Sequence, residues 1–165
     1  MLQTIKTGAA MDFQLIALPA EDFHHLYERT DDELRQLGAR RMTVDEKPGY
    51  PCRVSLADAE VGETVFLLSH MHHDVASPYR SAGPIFVRAG VATATPAVNE
   101  IPPMFRHRLL SVRAYDAEAL LVGADVVHGE ALEQTIRRLL EDPKASYLHI
   151  HNAKPGCFNC RVERA

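Results

Sequence analysis

The stretch SYLHIHNAKPGCFNCRV, Ser146–Val162, decides how this chain is read. Its first half alternates, so on a strand Tyr147, His149 and His151 share one face and Leu148 and Ile150 the other. Ala153-Lys154-Pro155-Gly156 then reads as a turn, with proline suited to the first corner and glycine to the corner needing positive φ. A hairpin built on that turn brings Cys157–Val162 back alongside the histidines. Strict alternation in the returning strand puts Cys157 and Asn159 on one face and Phe158 and Cys160 on the other. The spacing Cys157-x2-Cys160 therefore separates the two thiols, and joint ligation of one metal needs a bulge or loop between them.

Outward from the hairpin, the chain has the makings of one domain. It has 165 residues, 46% hydrophobic and 24% charged, which is the balance of a soluble globular protein. We expect a flexible leader at 1–10 and a single domain over 11–165, because the first ten residues offer little to bury. A net charge of −4 gives no footprint for nucleic acid. No apolar run approaches the ~18 residues that would cross a bilayer, and the start lacks the basic and apolar regions of a secretory signal. Three cysteines make no disulfide framework, so we expect a cytoplasmic protein with reduced thiols. Oligomeric state is left open, a homodimer included.

Six to eight strands are legible, among them Phe13–Leu18, Arg40–Val44, Glu63–Ser69, Ile85–Arg88, Leu109–Tyr115 and part of Ala119–Val127. Helices are expected at Ala20–Tyr27, after the capping box Thr30-Asp31-Asp32-Glu33, and over Gly129–Leu140, where Leu132, Ile136, Leu139 and Leu140 form an apolar stripe. Without steady βαβ alternation, this order predicts an α+β fold with a mainly antiparallel sheet and two or three helices.

Several residue groups could carry chemistry. His70-Met71-His72-His73-Asp74 follows an apolar strand and resembles the H-x-H-x-D-H pattern of the metallo-β-lactamase family, but Val75 stands where the last histidine belongs. The residues then read as a polar loop. His149, His151, Cys157 and Cys160 are the donor types zinc prefers, in a spacing unlike a standard finger. Cys52 beside Arg53, or Cys157, could serve as a nucleophile with His151 as base.

Three segments carry a family resemblance: Tyr50-Pro51-Cys52-Arg53, Pro78–Val87 with its Tyr79-Arg80-Ser81 and Gly83-Pro84, and His151–Phe158. Together they resemble a bacterial family known as domain of unknown function 1203, from about Met11 onward. The resemblance implies no activity or cofactor. It does imply that Cys52 and Cys157 belong to the family pattern, whereas Cys160 and His70–Asp74 do not. The site reading then narrows to a pocket for a small anionic metabolite. Arg53 and Arg80 would hold the anion, and Tyr79, His151 and Asn152 would orient it.

Overall fold

The computed structural model, described for residues 10–165, is an α+β fold built on two antiparallel sheets. The larger has the order β1-β8-β7-β5-β6, from Phe13–Ile16, Phe158–Arg164, Tyr147–Asn152, Leu109–Tyr115 and Leu121–His128. The smaller joins β2 (Arg40–Thr43), β3 (Thr64–His73) and β4 (Ser81–Arg88). Nine of the ten residues expected as a leader, 1–9, lie outside the described residues.

One face of the large sheet is apolar. Leu110, Val112, Ala114, Leu148, Ile150, Cys160 and Val162 pack beneath helix α2 (Leu132–Glu141), whose Leu132, Ile136, Leu139 and Leu140 form the stripe read from the sequence. A short 3₁₀ turn, Gly129–Ala131, leads into that helix. Gly129 is fixed by close approach, since a Cβ there would stand 1.7 Å from the Phe105 carbonyl oxygen. The small sheet is covered on one side by α1 (Asp31–Gln36) and a 3₁₀ helix at Ala20–Leu26, which bury Phe23, Leu26 and Leu34 against Phe66, Ile85 and Val87. Thr30 and Glu33 close a reciprocal capping box at the start of α1.

Two local departures from regular strands decide the site. In β3 the pairing shifts between His70 and His73, so the strand runs on through residues read from the sequence as a polar loop. His70 packs on Phe23 on one side, while His72 and His73 reach the large sheet. In the closing hairpin a second shift pairs His151 with Phe158 but Ile150 with Cys160. That extra residue overturns strict alternation: Phe158 joins the histidines and Cys160 enters the apolar core.

Gly129→Ala should cost at least about 2 kcal/mol in urea unfolding, because backbone would have to move to admit the methyl group. Gly83→Ala, which meets nothing within 4 Å, should change stability by no more than about 0.5 kcal/mol.

Candidate functional site

The Cys52–Arg53 backbone is pinned on both sides. Cys52 N–H donates to the Ala57 carbonyl, Arg53 N–H to Phe86, and Leu18 N–H to the Arg53 carbonyl, at 3.0, 3.2 and 3.0 Å. From this anchor the two side chains diverge. Cys52 is fully buried in the core of the small sheet, its sulfur accepting from the Arg88 and Ser55 amides. Arg53 runs towards the large sheet. It is 1% exposed, and its Nε donates to the Phe158 carbonyl at 2.7 Å and its Nη1 to that of Pro51. No carboxylate among the described residues lies within ion-pairing distance of it. Burial lowers its pKa, an effect opposed by the Cys157 and Cys52 sulfurs on either side.

Arg53 lines a cavity of about 300 Å³ together with Asn152 and Cys157. Its other walls are Gly49, Pro51, Leu67, Pro84, Phe86 and Pro155. Asn152 Nδ2 lies 3.3 Å from the Cys157 sulfur, and Asn159 Nδ2 donates to Asn152 Oδ1 at 2.8 Å, which fixes the amide's orientation. The turn that delivers Cys157 has Gly156 at φ +80°, as its sequence requires.

The remaining residues picked out by sequence lie elsewhere. Arg80 is half exposed and paired with Asp74 at 3.1 Å, and Tyr79 is 40% exposed with its ring 5.8 Å from that of Tyr115. Neither lines the Arg53 cavity. The histidine–cysteine set is divided: His149 and His151 face the small sheet, Cys160 lies under α2, and Cys157 lines the cavity. Burial raises the Cys160 thiol's pKa. Among the described residues no three His, Cys, Asp or Glu side chains are grouped to hold a metal ion, and neither Cys52 nor Cys157 hydrogen-bonds to an imidazole.

Beside the cavity, on the polar face of the large sheet, lies a cluster that sequence reading missed in part. His72 and His73 from β3 meet His149 and His151 from β7, with His72 5.2 Å from His151 and His73 4.7 Å from His149 between ring centres. Tyr115, Tyr147 and Phe158 complete the packing, Phe158 stacking on His72 at 4.9 Å. Arg113 stands directly across the β5–β7 ladder from His149, so it shares this face. Hydrogen bonds set two tautomers. His73 Nδ1 donates to the Tyr79 carbonyl and its Nε2 accepts from Tyr147 Oη at 2.6 Å. His151 Nδ1 donates to the Gly156 carbonyl at 2.9 Å, which leaves a lone pair on Nε2.

That Nε2 has no partner, nor do His72 Nδ1 and His149 Nδ1. They are three of the five unpartnered buried side-chain polar atoms among the described residues. A buried unmet polar atom costs about 1–3 kcal/mol, and three of them are concentrated in this one place. Burial pushes the imidazole pKa values down, to about 4 for His72 and His151 and about 2 for His149, and all three are neutral at pH 7.

A family model now gives a frame for both features. The model of DUF1203, described as a protein of unknown function, matches residues 49–164. The chain belongs to the DUF1203 family. No curated protein and no solved structure matches it. Every residue lining the Arg53 cavity, and every ring of the histidine cluster, falls inside the DUF1203 match.

The neutral histidines make folding acid-sensitive. The unfolded chain protonates them near pH 6.5 and the native one only near 4 or below, so their contribution is complete above 6.5 and is lost as pH falls. Between pH 6.5 and 5, above the range of most carboxylates, stability should drop by up to about 1.4 kcal/mol per pH unit for each of His149 and His151. His149→Gln or His151→Gln should remove one such increment from the slope, read by urea unfolding across that window.

Proposed function

We propose that this DUF1203 protein binds a small carboxylate with a short apolar body in the Arg53 cavity. The observation that carries the reading is a guanidinium buried to 1% exposure, without a carboxylate partner among the described residues, lining a cavity of about 300 Å³. Removing a charge from water costs several kcal/mol, and two carbonyl hydrogen bonds offset that only in part. A ligand carboxylate would supply the missing charge through charge-assisted hydrogen bonds. Asn152 would orient it, and Cys157 is the one thiol of three lining the cavity. The apolar walls at Leu67, Pro84 and Phe86 suit a hydrocarbon body, and about 300 Å³ holds on the order of ten non-hydrogen atoms.

Binding is the role we propose, and the three free cysteines support a reducing compartment such as the cytoplasm. No helix among the described residues is long and apolar enough to cross a membrane.

Calorimetric titration with hexanoate tests the reading, with hexanamide as the neutral match. Hexanoate should bind with Kd near about 1 mM or below, and the amide at least tenfold more weakly. Arg53→Met should abolish the difference. Leu67→Phe, which fills the cavity without touching Arg53's hydrogen bonds, should weaken hexanoate while the protein stays folded. Equal affinity for acid and amide in the native protein would overturn the proposal.

A further inference from the structure

We infer that the histidine cluster forms a second site, distinct from the Arg53 cavity, which takes a tetrahedral oxyanion of the sulfate or phosphate class at its half-buried end, beside Arg113 and His72 and backed by His149 and His151. Two independent observations meet there. The first is the group of unpartnered nitrogens on His72, His149 and His151, of which the latter two rings are 2% and 1% exposed. The second is Arg113. Its Nε reaches the Ser111 hydroxyl at 3.2 Å, but no carboxylate among the described residues pairs with it. Arg113 and His72 are only half-buried, so the cluster is reachable from solvent at that end.

The sign of the surrounding charge selects the ligand. Arg113 and Arg53 both act on His151, Arg161 acts on His149, and no carboxylate hydrogen-bonds to any ring of the cluster among the described residues. A divalent cation would add to that positive field, whereas an anion offsets it. Nitrogens on His72 and His149 can donate as neutral N–H groups, and Arg113 as a guanidinium. His151 is different, because its Nδ1 proton is committed to Gly156 and its Nε2 carries a lone pair. It can donate to the anion only after taking up a proton. Binding is therefore linked to protonation. The titratable and charged groups that face His151 are His72 from β3, Arg113 from β5, His149 from β7 and Arg53, while His73, Tyr115, Tyr147 and Arg161 lie against His149 behind it.

Sulfate is the probe for the linkage, because its charge is constant across the range used. Calorimetry should give a Kd of about 1 mM at pH 6, weakening at least about fivefold by pH 8, with phosphate binding at the same place. Arg113→Gln should weaken sulfate at least about tenfold and leave hexanoate binding within twofold. His107→Gln, at an exposed histidine that sits against Asp58 and not in the cluster, should change neither. The inference fails if 20 mM sulfate does not bind, if its affinity is the same at pH 6 and 8, or if it survives Arg113→Gln. Sulfate lost with Arg53→Met but kept with Arg113→Gln would place the anion in the carboxylate cavity and overturn the second site alone. Absence of hexanoate binding would overturn the first site alone.

Discussion

The structure depends on how the small sheet docks on the polar face of the large one, and one buried cation spans that junction beside the histidines of β3. Arg53 leaves a backbone tied to Phe86 of the small sheet and ends on the Phe158 carbonyl of the large one. An interior cation holding the chain together this way is costly unless its donors are met. Phe158 sits at the register shift of the β7–β8 hairpin, where one more residue on β8 departs from regular pairing. The bulge and the arginine thus belong to one device. The irregular strand presents its carbonyl, and the guanidinium fastens the second sheet to it.

A polar junction at the centre of a domain needs an energetic account, since apolar packing would give more stability per unit area. Here the cost is kept down by neutrality. The uncharged rings of His72, His149 and His151 stack on one another and on Phe158, Tyr115 and Tyr147 as aromatic surfaces, while His73 satisfies both its nitrogens with Tyr79 and Tyr147. The opposite face of the same sheet, under α2, supplies ordinary apolar burial. Stability is concentrated on one face, which leaves the other free to hold unmet donors and acceptors.

The same division explains what could be read from sequence. Period-two patterning put Tyr147, His149 and His151 on one face, and they share it; the helix stripe at Leu132–Leu140 packs as its spacing requires. Arg53, Asn152 and Cys157 meet at one cavity although about 100 residues separate the first from the others, and the family resemblance had grouped them. Alternation could not place His72 and His73, because a bulge changes parity and leaves no mark in composition. Phe158 and Cys160 were misplaced for the same reason. Arg80 was grouped with Arg53 by chemistry, but it stands exposed, paired with Asp74, and does not line the Arg53 cavity. Arg113 and Tyr115 looked like strand residues and nothing more, since their role comes from the ladder partner opposite, which sequence does not name.

Division of labour along the chain follows from where the lining residues begin. None that faces the cavity precedes Gly49, and the DUF1203 match starts at that same residue. The described segment before it supplies β1 at the edge beside β8, then α1 and β2 over and beside the small sheet. These elements bury apolar surface and close sheet edges, but bring no polar group to either site. A capping box on α1 and the ion pair between Arg41 and Asp31 serve the same end, holding the cover in place. The part of the chain that carries the cavity and the histidines is the part the DUF1203 model matches, and the preceding helices supply apolar packing on the side of the small sheet away from the cluster.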